Sequence, residues 1–194
     1  QRYDPASHAL SLVPGCDYYQ GGDGASADGS RVAVVGSGVS PAQNAGFYLG
    51  SSSAFQASAV GVGANVVELD RSGSRIVALR DFFPNLLSNG VYDATWSPLG
   101  QLGQAAPNNT LLRVVLRRDG ARAVAWDDGS TGRVRIYDLT ASPVAGFFPE
   151  VGSGVAPIVL PGATGSRTTR LALSADGSTA FLAGDQAFVV VPLP

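Results

Sequence analysis

Few residues in this sequence could perform nucleophilic or acid–base chemistry. It contains one histidine, His8, and one cysteine, Cys16. A serine or cysteine nucleophile needs a histidine that orients and activates it, and His8 lies in a short apolar stretch typical of an edge strand. Cys16 has no second cysteine with which to form an internal disulfide or a cysteine metal site. We therefore predict no catalytic residues and no cofactor.

Carboxylates are the remaining candidates for a ligand site. Asp17, Asp23 and Asp28 lie among glycines, where an oxygen-only calcium site is the alternative to a plain turn. Their spacing does not match the ligand positions of an EF-hand loop. We predict a turn here and no metal site.

A second group of charged residues recurs in register with a set of glycines. Asp81, Asp128 and Asp185 each follow such a glycine by eight residues, and Arg31, Arg75 and Arg122 each follow one by two residues. In a stack of equivalent units, these positions place the aspartates on one face and the arginines on the opposite face. The acidic face would bind a cationic ligand or a basic partner surface, although aspartate is also a common turn former.

Large apolar residues adjoin one of these aspartates in a loop. Phe82 and Phe83 directly follow Asp81, and Phe147 and Phe148 repeat the pattern later in the chain. Loops held by a rigid scaffold often carry function, and exposed apolar patches mark contacts with other molecules. The alternative is that both loops fold back between neighbouring units. The predicted binding residues are Asp81, Phe82, Phe83, Trp126, Asp127, Asp128 and Asp185.

The elements that position these residues follow from an internal repeat. Gly29, Gly73, Gly120 and Gly177 each lie in a short polar turn that precedes an apolar run, and they are 44, 47 and 57 residues apart. Aspartate or serine followed by glycine supplies the backbone conformations of a tight hairpin. The turns lie near residues 28–30, 72–74, 119–121 and 176–178. A spacing of ~40–50 residues is typical of a β-propeller blade.

Each unit has the same predicted strand order. An incoming strand precedes the turn, at residues 65–70, 111–117 and 169–174, and the apolar run after the turn suits a strand buried on both faces. A third strand follows at residues 46–49, 91–96, 133–139 and 187–193. A weaker fourth strand is predicted at 55–60, at 99–105, and at either 155–160 or 144–148. Residues 8–13 are expected to pair with 187–193 and to close the last blade. The prediction is thus an all-β, four-bladed propeller or propeller segment as one domain of residues 1–194, with a β-sandwich as the alternative.

Two segments resemble a known family. The segment LALSADGS at residues 171–178 and the segment VRIYDLT at residues 134–140 are similar to the YVTN-type and WD-repeat-like bacterial β-propellers. The resemblance covers roughly residues 25–194. It implies the propeller fold, and no catalytic residue of the lactonase-like members can be placed in this sequence.

Composition excludes several classes of function. The formal net charge is −2, and the 13 basic residues are scattered, whereas nucleic-acid binders concentrate them in a patch. No apolar run approaches the ~20 residues of a membrane-spanning helix. All 13 basic residues are arginine and the charged fraction is only 14%, which together with the serine, glycine and alanine content indicates an extracytoplasmic protein. The chain has no methionine, and we interpret it as a mature or excised segment.

We therefore expect a non-enzymatic binding or scaffold module that acts through the loops of the propeller faces. Its partner would be another protein or a second copy of the chain. The alternatives are a propeller enzyme of the hydrolase or lactonase kind, and a structural subunit of a larger assembly.

Overall fold

The computed structural model describes residues 2–4, 9–11, 24–36, 44–49, 54–57, 66–79, 89–103, 111–127, 133–151, 170–183 and 188–194. Every regular element in these residues is a β-strand. The chain begins with a two-stranded sheet of β1 (Arg2–Asp4) and β2 (Ala9–Ser11). The predicted all-β class is confirmed.

Four antiparallel sheets follow, which we term blades 1 to 4. Blade 1 contains β3 (Gly24–Ala25), β4 (Arg31–Gly36), β5 (Asn44–Leu49) and β6 (Ala54–Ala57), and blade 2 contains β7 (Val66–Leu69), β8 (Arg75–Leu79), β9 (Asn89–Asp93) and β10 (Pro98–Gln101). Blade 3 contains β11 (Leu111–Leu116), β12 (Arg122–Asp127) and β13 (Arg133–Asp138), and blade 4 contains β14 (Arg170–Leu173), β15 (Thr179–Ala183) and β16 (Phe188–Pro192). Within each blade, neighbours in sequence pair in order, as predicted.

The first two strands of every blade are joined by the same turn. The backbone NH of the glycine donates to the carbonyl three residues earlier, as from Gly73 to Asp70 at 3.0 Å. The φ angles of the four turn glycines are 67°, 72°, 68° and 71°. Such positive values favour glycine, because a Cβ would meet the backbone there. The four glycines therefore occupy equivalent turns, as the repeat predicted.

Side chains alternate between the two faces of each blade. In β8, Ile76 and Ala78 pack with Ala33 of blade 1, whereas Val77 and Leu79 pack in a second cluster with blade 3. A third cluster fills the space between blades 3 and 4 and contains Trp126. Each blade thus has a preceding face, turned toward the blade before it, and a following face, turned toward the blade after it. The apolar clusters between successive blades are the core of the protein.

The second phenylalanine loop folds back onto the blades. The backbone NH of Phe148 donates to the carbonyl of Gln101 in β10 at 2.9 Å, and that of Asp138 donates to the carbonyl of Pro149 at 3.0 Å. Phe148 is buried in the cluster between blades 2 and 3. For this loop the fold-back alternative is therefore correct, and the loop ties the outer edges of two blades together.

The predicted closure by the N-terminal strand is wrong. Strand β2 pairs with β1, with Tyr3 opposite Leu10, and within the described residues β16 pairs only with β15. The physical reason is loop entropy, since pairing with a strand a few residues away costs far less chain entropy than pairing across the whole sequence. Blade 4 consequently has no strand from the N-terminus in the part of the chain described here.

Candidate interaction surfaces

The arginines of the repeat connect neighbouring blades. The guanidinium of Arg31 donates from Nη1 to the carbonyl of Gly73 at 2.8 Å, and Nη1 of Arg75 donates to the carbonyls of Gly120 and Leu139, both at 2.8 Å. Arg122 donates in the same way to the carbonyl of Pro194 in blade 4. All three are half-buried. They lie together at the turn end, as predicted, and they act as clamps between neighbouring blades.

Carboxylates share the turn end with these arginines. Hydrogen bonds from the Ser26 hydroxyl, then from the Ser30 backbone and hydroxyl, lower the pKa of Asp28 to about 2. The Ser174 hydroxyl, with the backbone and hydroxyl of Ser178, does the same for Asp176. The carboxylates in the described part of this end are Asp28, Asp70, Asp93, Asp119, Asp138 and Asp176. The predicted separation of charge is therefore not present at the turn end, where both signs occur together.

Two of the predicted binding residues lie inside the protein. Trp126 is 1% exposed and packs in the cluster between blades 3 and 4. Asp127 is 7% exposed, and its Oδ2 accepts a hydrogen bond from Nε of Arg135 at 2.6 Å. Arg135 also donates to Glu150 at 2.8 Å. Trp126 therefore belongs to the packing between blades 3 and 4, and Asp127 belongs to an ion pair within blade 3.

The other predicted binding residues, Asp81, Phe82, Phe83, Asp128 and Asp185, lie outside the described residues, as do His8 and Cys16. The acidic face and its cationic ligand stay predictions, and so does the hydrolase alternative, which depends on His8. Within the described ranges, no three acidic, histidine or cysteine side chains come together where they could hold a metal ion.

A shallow groove of about 280 Å³ runs between the first strands of blades 2, 3 and 4. Its lining includes Glu68, Leu116, Arg118 and Leu173. It also includes Arg117, whose guanidinium donates to Asp119 of its own turn at 2.6 Å. The lining combines apolar side chains with charges of both signs, and Arg117 is already paired in it.

The largest departure from the repeat is on the following face of blade 4. Side chains of paired strands share a face, and this face consists of Arg170, Ala172, Thr179, Phe181, Ala183, Phe188, Val190 and Pro192. We term it the open face. Phe188 is 66% and Val190 52% exposed, whereas the preceding face of the same blade holds the buried Ala180 and Leu182. The apolar run of β15 is thus buried on one side, although the sequence predicted burial on both.

The equivalent residues of the other blades are covered. By strand register, Phe188 and Val190 correspond to Val134 and Ile136 of blade 3, which are buried against blade 4. Phe181 occupies the position of Val124, and its ring lies 6.2 Å from that of Phe188 between centroids, in a stacked arrangement. Sequence reasoning missed this site, because blade 4 has the same strand pattern as blades 2 and 3, whose following faces are covered.

Comparison with solved structures identifies the architecture. The crystal structure of the Cps50 (Swd1) β-propeller domain of Myceliophteria thermophila matches with a TM-score of 0.65 over 99% of this chain, at 13% identity. The fold is a β-propeller segment. Hydrazine synthase of Kuenenia stuttgartiensis matches with a TM-score of 0.57 over 81% of the chain, at 16% identity.

The propeller segment spans part of each neighbour, 58% of the Swd1 domain chain and 47% of the hydrazine synthase chain. At these identities the likeness concerns the fold alone. No protein-family model matches the sequence, and no curated protein matches it. The propeller predicted from the repeat is confirmed, whereas membership of the YVTN-type family stays a prediction. Within the described strands and turns there is no helix that could cross a membrane.

Proposed function

We propose that this chain is a non-enzymatic scaffold module that binds a protein partner through the open face of blade 4. The observation that carries the proposal is the exposure of Phe188 and Val190 at positions whose equivalents in blades 2 and 3 are buried. An exposed apolar patch with a polar rim is typical of a protein–protein contact. Arg170 and Thr179 supply that rim at the two ends of the face.

The chemistry of the face favours a protein over a small molecule. Small ligands are enclosed in concave pockets, whereas the open face is one side of a three-stranded sheet. An extended apolar sheet surface is best covered by another sheet or by a helix, because these bury a whole row of side chains at once. The bound partner would therefore be a folded polypeptide.

We also propose that the module works outside the cytoplasm. The support is compositional: charged residues make up 14% of the sequence, and all its basic residues are arginine. Fractionation of source cells, with the chain detected by antibody, tests this part separately. Recovery of the chain in the cytoplasmic fraction would contradict it.

Photocrosslinking tests the binding surface. Phe188 is replaced by p-benzoylphenylalanine, and the matched control carries the same residue at Val144, which is 74% exposed in the loop after blade 3. The labelled chain is irradiated in extract of the source cells. We expect protein adducts from position 188 and none from position 144. Equal labelling from both positions, or none from position 188, would refute the proposed surface.

A further inference from the structure

We propose that the open face of blade 4 is occupied by blade 1 of a second copy of this chain, so that two four-bladed arcs close head to tail into one eight-bladed ring. The inference rests on the proposed function, because it names the partner of the same surface. Its argument comes from what covers the equivalent faces inside the chain.

Each covered following face meets the same kind of surface. Two residues of the next blade's second strand, three and five residues after its turn glycine, pack against it. These residues are Ile76 and Ala78 in blade 2, Ala123 and Ala125 in blade 3, and Ala180 and Leu182 in blade 4. A following face is thus complementary to a preceding face of small or medium apolar side chains. The open face requires a partner of this type.

The chain itself carries one preceding face that is not covered to the same degree. Val32 of blade 1 is three residues after Gly29 and pairs with Ala25 on the same face. Ala25 is exposed and Val32 is half-buried, whereas the equivalent Ile76 of blade 2 is fully buried. Blade 1 therefore offers the kind of surface that the open face requires.

The turns of blades 1 and 4 also support this arrangement. A Cβ added at Gly73, Gly120 or Gly177 would meet a side chain of the preceding blade, such as Arg31 at 3.4 Å from Gly73, but at Gly29 nothing lies within 4 Å. At the other end of the arc, Thr179 replaces the clamping arginine of the earlier blades. A joint between blade 4 and blade 1 has room at the turn and consists mainly of apolar packing.

Symmetry favours two copies. In the described residues, each copy has the open face on blade 4 and a less covered preceding face on blade 1, so a two-fold arrangement forms two identical joints and covers both faces. Eight blades lie within the range of ~4–8 found in propellers. The net charge of −2 per chain gives little repulsion against association.

The test is the mass of the purified chain in sedimentation equilibrium over a concentration series. We expect the wild type to reach twice the 19.8 kDa of one chain. Val190→Glu on the open face and Ala25→Glu on blade 1 should each give monomers, while the matched control Val144→Glu stays dimeric. Circular dichroism of all variants should show the wild-type β signal, which separates lost association from lost folding.

Mixing the two monomeric variants tests the head-to-tail arrangement. An equimolar mixture of Val190→Glu and Ala25→Glu retains one intact joint per pair and should return to dimers. A mixture that stays monomeric refutes head-to-tail pairing, and a mass that grows without limit refutes the closed ring. A monomeric wild type overturns the second copy as partner, yet adducts to another protein from position 188 would still support the proposed function.

Discussion

Replacing Arg75 should separate the energetic contribution of the clamps from that of the apolar packing. Its guanidinium donates to the carbonyls of Gly120 and Leu139 at 2.8 Å each. A hydrogen bond to a charged group contributes about 1.5–3 kcal/mol when its partner is well buried. Because Arg75 is half-buried, water can hydrogen-bond to the two carbonyls once the guanidinium is removed, and part of the lost free energy is recovered. We therefore expect Arg75→Ala to lower the free energy of unfolding by about 2–4 kcal/mol.

The assay is equilibrium unfolding in urea, followed by the fluorescence of Trp96 and Trp126. Both indoles are buried between blades, so their emission reports loss of packing. The matched control is Arg71→Ala, in the turn of the same blade, where the side chain is exposed; a change within about 0.5 kcal/mol is expected for such a site. If Arg75→Ala costs no more than Arg71→Ala, the clamps do not hold the blades together.

Two further predictions concern the turns. Gly29→Ala should lower the free energy of unfolding by about 1 kcal/mol, because of its positive φ alone. Gly120→Ala should lower it by at least about 1 kcal/mol more, since its Cβ would lie 2.9 Å from Oδ2 of Asp70 in the turn of blade 2. Equal losses of stability in thermal unfolding would contradict packing between the turns of blades 2 and 3. In the folded protein the pKa of Asp28 and that of Asp176 are lowered to about 2, below the value in the unfolded chain. The hydrogen bonds to the two carboxylates therefore stabilise the fold fully above about pH 4, and this stabilisation is lost as the pH falls toward 2. Carboxyl NMR titration checks this, and midpoints near pH 4 for both groups would show that the turn hydrogen bonds do not form in solution.

The sequence was sufficient for those features that depend on local chemistry. Positive φ in these tight turns favours glycine, so Gly29, Gly73, Gly120 and Gly177 located all four turns. The apolar runs after them located the second strands, and the third strands followed within three residues of the predicted bounds. Such features need no knowledge of the neighbouring blade.

Features that depend on neighbouring blades could not be predicted in this way. The recurrence of Arg31, Arg75 and Arg122 was visible, but the carbonyls that they bind lie in other blades. Trp126 was predicted as a binding residue, and its burial depends on how blade 4 packs against blade 3. The exposure of Phe188 depends on what packs against the following face of blade 4, which the strand pattern of that blade does not reveal.

The clamps also give the protein a direction of assembly. In each described case the donor belongs to the earlier blade and the acceptor to the later one: Arg31 reaches Gly73, Arg75 reaches Gly120, and Arg122 reaches Pro194. During synthesis the N-terminal part folds first, so each guanidinium is in place before its acceptor leaves the ribosome. We therefore expect a new blade to dock once its carbonyl is presented, and folding to proceed along the chain one blade at a time. Removing blade 1 deprives blade 2 of the donor to its turn, whereas removing blade 4 leaves the two earlier clamps intact.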